Sequence, residues 1–342
     1  MIDGSAAQAW LGKFLHHFLS YDTYVVLLSW LSALIGAYIT FVYRNGWAGW
    51  LDVTGFLRFC FPAAIVRSRS CRLDLLFTIS TRFLYPVMIT PILITSTLIT
   101  QFTHDSLTTS LGARPALPDS LSLHIVALVV VVILADASSF LTHYLDHKVK
   151  VLWEFHKVHH AAEFLIPITN RRVHPVQELF DDTTLLLVVG LWLGAFTYAV
   201  GLRITDSVFL GMDAYFFANL LSFYHLRHSH IPMSYGRLEN VFLSPAQHHL
   251  HHSCHVQHWD RNFGLLLSCW DRMAGTFSRS EQPEAILLGL PQVYRGQYNN
   301  LLQLYLTPVF NVFRMVVGGL APARLRPLSP IEPMTADRQP GE

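Results

Sequence analysis

The chain has 342 residues, of which 52% are hydrophobic and only 14% charged, and its formal net charge is +1. Soluble domains carry roughly 25% charged residues, so this composition reads as a membrane protein, and a near-neutral balance with no basic stripe argues against nucleic acid as a partner. The four cysteines, Cys60, Cys71, Cys254 and Cys269, form no C-x-x-C pair, which argues against a disulfide scaffold, a zinc ribbon or an iron–sulfur cluster.

The predicted elements begin with a short amphipathic surface helix over residues 5–20, and the N-terminus lacks the basic start and small-residue cleavage site of a secretory signal. Tyr24–Tyr43 follows without a charge, long enough at about 1.5 Å per residue to cross some 30 Å of hydrocarbon. The next apolar stretch, Leu73–Phe102, contains Pro86 and Pro91, which should split it into a bent pair of half-helices. A third, Leu121–Phe140, leads directly into His143. The block Thr183–Tyr224 carries only Arg203, Asp206 and Asp213, and a turn at Arg203–Asp206 would make it a hairpin. Asn300–Leu320 is apolar enough to lie on the membrane, and the proline-rich tail 321–342 reads as disordered.

The expected architecture is therefore all-α, a multi-pass membrane helical bundle of four or five spans. Three regions are expected: N-terminal membrane helices over 1–120, a histidine-bearing domain over 121–278, and a membrane-associated C-terminal segment over 279–342. Orientation follows from the cations. Arg44, Arg58, Arg67, Arg69 and Arg72 crowd one loop, and Lys148, Lys150, Lys157, Arg171 and Arg172 follow the third span, whereas the 103–120 loop has Arg114 alone. Cytoplasmic loops carry the excess of lysine and arginine, so a histidine-rich helical cap over 143–174 and 225–258 is expected to face the cytoplasm.

Fifteen of the nineteen histidines fall between His143 and His258. His16, His17, His104 and His124 read as surface or hydrogen-bonding residues, and His225, His230, His249, His255 and His258 are undecided. Three groups stand apart: His143/His147, His156/His159/His160 and His248/His251/His252. Residues three and four apart share a helix face, so each group aims several imidazoles at one point. Eight imidazoles exceed what one ion accepts, which implies two metals. A neutral nitrogen set without cysteine best fits two irons that activate dioxygen, because zinc takes about four ligands in a closed tetrahedron whereas redox iron keeps open positions. Asp136 lies seven residues before His143, on the same face and near the membrane boundary, where an acid needs a partner.

The series H-x-x-x-H, H-x-x-H-H and H-x-x-H-H resembles the fatty acid hydroxylase/sterol desaturase superfamily. The flanks are similar too: Trp153-Glu154-Phe155, Arg172-Val173-His174-Pro175, Leu238 to Pro245, Asp260 to Gly264 and Trp270 to Thr276. The resemblance covers about residues 121–278. It implies a membrane di-iron oxygenase that uses O2 and two electrons to hydroxylate or desaturate a lipid C–H bond, sterol-like or fatty acyl. It also implies His228 as a ninth ligand and gives His174 a place behind or beside the ligands. His230 departs from the pattern, which commonly has asparagine there. The H-x-x-x-H spacing resembles the sterol-type branch more than the fatty-acid 2-hydroxylases.

No dinucleotide fingerprint, haem motif or ferredoxin cysteine run is present, so electrons must come from a separate reductase or small redox carrier. Two rivals are a histidine-rich membrane metal transporter and an inactive lipid-binding homologue. A transporter would place its ligands within spans and use broken helices or repeats. An inactive homologue would have lost ligands, and the motif set is complete.

Overall fold

A computed structural model describes residues 23–88, 96–201, 215–280, 286–291, 294 and 296–318. The expected surface helix at 5–20, the turn at Arg203–Asp206 and the tail 321–342 lie outside these residues. Among the described residues the secondary structure is helical, and the only extended pairings are the isolated bridges Phe242 to Leu267 and Ser253 to Leu288.

The long helices are α1 (Thr23–Asn45), α4 (Arg69–Met88), α5 (Ser96–Leu111), α6 (Leu121–Lys148), α7 (Lys150–His160), α8 (Pro175–Val200) and α11 (Leu301–Gly318). Short helices are α2 (Val53–Cys60), α3 (Ala63–Val66), α9 (Pro245–His251) and α10 (Cys269–Ala274). Among the described residues, four stretches are long and apolar enough to cross a membrane: Leu27–Asn45 in α1, and all of α6, α8 and α11. The stretch Leu73–Phe102 holds the end of α4, which runs through Pro86 to Met88, and the start of α5; the expected break at Pro91 falls outside the described residues. Helix α5 continues to Leu111, however, where hydropathy predicts loop. The hydroxyls of Thr103, Thr108 and Thr109 each donate to the carbonyl four residues back, so these polar side chains are satisfied within the helix while giving no apolar signal.

Helix α8 starts at Pro175, eight residues before its apolar run. His174 caps it, its Nδ1 accepting from the Val176 N–H, and proline at the first helical position has no N–H to leave unsatisfied. At the other end Gly201 (φ 67°) closes the helix in the left-handed conformation. Gly190 and Gly194 let α5 approach closely. A Cβ on Gly194 would stand 2.4 Å from Thr103 Cβ and 2.7 Å from the Thr100 carbonyl oxygen, and one on Gly190 would stand 2.7 Å from Ile99 Cβ. This small-x-x-x-small face is how helices pack without a hydrophobic drive between them. Val131 of α6 closes the other side against Val189 and Leu193.

The histidine cap sits where α6 ends and α8 begins. Val149 terminates α6 and starts α7, its N–H donating to Leu145 O while its carbonyl accepts from Trp153 N–H. Ala33 and Ala37 of α1 pack against Leu226 and Ile231, beside the segment that carries His228. Phe77, Val158, Tyr298 and Leu304 join α4, α7 and α11 beneath the cap.

Candidate metal centre

Two compact sets of imidazoles form. His143, His147, His156, His160 and His251 make one, and His159, His228, His248 and His252 the other; within each set the ligand nitrogens all lie within 4.8 Å of one another. Seven of the nine rings are buried, and His143 and His147 are part-buried. The H-x-x-H-H spacing deals its members alternately. His156 and His160, one turn apart, serve the first set while His159 serves the second; His248 of α9 and His252 just past its end serve the second, and His251 the first. The sets are therefore adjacent, with the His160 and His252 rings stacked at 4.5 Å between centroids.

The contacts are between Nε2 atoms. In the first set His143 and His251 approach to 2.9 Å, and His160 stands 3.1 Å from each of His147, His156 and His251. In the second, His228 stands 2.9 Å from His159, 3.0 Å from His248 and 3.2 Å from His252. The Nδ1 atoms of His143 and His251 face the carbonyls of Phe263 and Arg261, each at 2.8 Å. A carbonyl only accepts, so both Nδ1 atoms carry the proton and both neutral rings turn bare Nε2 lone pairs toward each other. Two lone pairs at 2.9 Å repel unless a cation lies between them. Metal–nitrogen bonds of about 2.1 Å put neighbouring ligands of an octahedron roughly 3.0 Å apart and those of a tetrahedron roughly 3.4 Å apart. The shortest contacts show donors gathered around a common point, and the five donors of the first set exceed the four of a closed zinc site.

Burial drives the protonation equilibria. Desolvation, reinforced by neighbouring imidazoles, lowers the pKa of His156, His160, His228, His248, His251 and His252 well below the ordinary imidazole value. His159 falls to about 3, through desolvation first and the Arg172 cation second. All seven are neutral at physiological pH, which is the form that binds a metal.

The flanking motifs acquire physical roles. Ser244 and Gln247 form a reciprocal capping box that starts α9, and buried Glu239 accepts from the Ser244, Ser234 and Ser280 hydroxyls to hold that start. Asp260 (φ 58°) and Asn262 (φ 56°) adopt left-handed backbone on either side of Arg261, the residue whose carbonyl meets His251. Asp271 accepts from the Phe263 and Gly264 N–H groups and from Thr276, which holds the carbonyl that meets His143. Buried Arg172 donates to Val158 O and to Asp74, bracing α7 between the histidines.

Asp136 accepts from the Leu266 and Leu267 N–H groups and from Trp270 Nε1, so it pins the loop that orients the imidazoles and touches none of them. The carboxylates nearest the rings are Asp146, 3.6 Å from His156 Nδ1, and Asp260, 3.6 Å from His147 Nδ1. His174 belongs to neither set; its Nε2 donates to Tyr305 O. His230 donates to Phe59 O and His249 to Leu226 O, so both are structural. His225, His255 and His258 also stand outside the two sets. Sequence reasoning passed over Arg227, a cation next to His228; its place between His225 and His228 was the available signal.

Helices able to cross a membrane are thus capped by two polyhistidine clusters able to hold metal, the architecture of a histidine-rich integral membrane protein. Residues 128–276 match the fatty acid hydroxylase family model. Among curated relatives, the ornithine lipid hydroxylase OlsE of Rhizobium tropici is 28% identical over 181 residues, covering 50% of this chain and 48% of that protein. The alkylglycerol monooxygenase of Danio rerio is 28% identical over 155 residues, 45% of this chain and 31% of its own. The human alkylglycerol monooxygenase is 24% identical over 195 residues, 54% and 40%. The chain thus spans less than half the length of these relatives. No solved structure matches it.

Proposed function

We propose that the protein is a membrane oxygenase that inserts one oxygen atom of O2 into a lipid C–H bond, consuming two electrons and two protons and releasing water. The observation that carries this reading is the pair of Nε2 clusters, five and four, with bare lone pairs facing each other. His143, His147, His156, His160 and His251 would hold one iron, and His159, His228, His248 and His252 the other. When bound, the irons supply the activation of dioxygen.

The chain's own residues do the rest. The Phe263 and Arg261 carbonyls fix the tautomer and ring orientation of His143 and His251. Asp146 and Asp260 face the Nδ1 atoms of His156 and His147 and favour the same tautomer. Burial of the rings excludes bulk water, and the exposed apolar faces of α6 and α8 admit a lipid chain from the bilayer side. Relatives named as lipid hydroxylases and monooxygenases support hydroxylation over desaturation as the outcome. The catalytic unit is 121–278, facing the cytoplasm, and a separate reductase or small redox carrier delivers the electrons there. Trp153, part-exposed and with its ring centroid 4.8 Å from that of His147 and 5.5 Å from that of His160, lies on the side such a donor would approach.

The test is anaerobic purification with iron, metal analysis, and lipidomics of cells with and without the gene. About two irons per chain and a +16 mass change in a membrane lipid are expected. Stoichiometric zinc movement without lipid oxidation overturns the reading.

A further inference from the structure

Arg227 is fully buried, and among the described residues none of its guanidinium nitrogens has a hydrogen-bond partner. The contrast with Arg172 is plain: that side chain is equally enclosed but donates to Val158 O and Asp74. Arg227 precedes His228 in the chain and lies within electrostatic reach of Asp136, His143 and His248. Asp136 is about two turns, roughly 10 Å, from His143 toward the middle of α6.

The groups around it are committed elsewhere. Asp136 accepts three N–H donors. The Tyr215 hydroxyl bonds Ser139, that of Tyr235 donates to Ser222 O, and that of Tyr224 accepts from Asn170. The Tyr224 ring, 5.6 Å from the guanidinium carbon, offers a π-face but no lone pair. A desolvated guanidinium with five N–H donors and no acceptor is costly to maintain, and the nine neutral imidazoles contribute no negative charge. Its planar fork matches a carboxylate or phosphate in two parallel hydrogen bonds.

We propose that Arg227 binds the oxyanion, carboxylate or phosphate, of an anionic lipid headgroup, and so places a C–H bond a few carbons from that headgroup at the histidine clusters. This rests on the lipid-oxygenase reading and narrows its substrate to acidic amphiphiles. The bond oxidised lies near the polar end of the lipid, because residues 227 and 228 are neighbours and only one of them faces the metal position.

The experiment uses the full chain, iron-loaded and anaerobic in dodecyl maltoside, with binding of four probes followed by tryptophan fluorescence: oleate, oleoyl lysophosphatidate, oleyl alcohol and inorganic phosphate. At least about tenfold tighter binding of oleate or lysophosphatidate than of the alcohol is expected, the preferred acid identifying carboxylate or phosphate. Arg227→Gln should lose that preference with its iron content retained, and Arg227→Lys should keep part of it. Equal affinity of the wild type for oleate, lysophosphatidate and the alcohol overturns the proposal, as does an unchanged preference in Arg227→Gln. Inorganic phosphate binding as tightly as lysophosphatidate overturns the headgroup assignment. If Arg227→Gln loses its iron, the wild-type comparison decides alone. Failure of the underlying reading looks different: the wild type then binds no iron or oxidises no lipid, whatever its preference among the probes.

Discussion

At the residue scale, adjacent histidines do different work. His159 and His160 are neighbours in sequence, yet their Nε2 atoms point into different sets. His159→Ala and His160→Ala should each remove about half of the bound iron, and the double substitution nearly all of it, as measured by metal analysis of anaerobically purified protein. Identical metal loss from both single variants, with no addition in the double, would deny the division into two sets. Acid sensitivity follows from burial. A histidine such as His159 takes up a proton near 6.5 when unfolded but only near 3 when folded. The unfolded state therefore holds more protons in that window. Stability of the metal-free protein is full above pH 6.5 and falls as pH drops toward 3, by about 1.4 kcal/mol per pH unit for each such histidine. Thermal unfolding in detergent between pH 7 and pH 5 should show the midpoint falling with pH. The histidine spacing made eight of these rings legible in the sequence, because i, i+4 positions share a face. The division into five and four was not legible, since it depends on how α6, α7 and α9 cross.

At the scale of elements, the flanking motifs matter for what they do to backbone. Asp136 reads from sequence as an acid beside the ligands, but its lone pairs go to the 266–270 loop, and its influence on the imidazoles passes through carbonyls. No periodicity reveals that, because it depends on a contact across some 130 residues. The helices show the same limit. Hydropathy finds α1, α6 and α8 but ends α5 too early, since threonine hydroxyls satisfied within the helix look polar in a window average. The α5–α8 contact is instead encoded in two glycines. Gly194→Leu should destabilise the protein by about 1–3 kcal/mol or more and lower its unfolding temperature, because the added atoms meet Thr103 and a backbone carbonyl that cannot retreat. An unchanged unfolding temperature in a detergent-solubilised thermal scan would count against close α5–α8 packing.

On the scale of the whole molecule, α6 sets the frame. Its 28 residues extend about 42 Å, long enough to cross a membrane, and a crossing α6 would put the residues just before it and just after it on opposite sides. In a background with the four native cysteines replaced, Lys150→Cys should react with a membrane-impermeant maleimide only from the cytoplasmic side and Arg114→Cys only from the other. Labelling of both from one side would reject the topology. The multi-pass helical architecture was readable from composition and run length, and the place of the site was readable because His143 follows an apolar run. Where α11 goes was not: the sequence reading laid it on the membrane, while its 18 residues are also long and apolar enough to cross. The division of labour among the nine imidazoles has a mechanical side. Two come from the spanning helix α6 and the other seven from the cap outside it. Asp136 and His143, both on α6, bond the 263–267 segment of the cap, so the first set forms where the long helix and the cap are tied together.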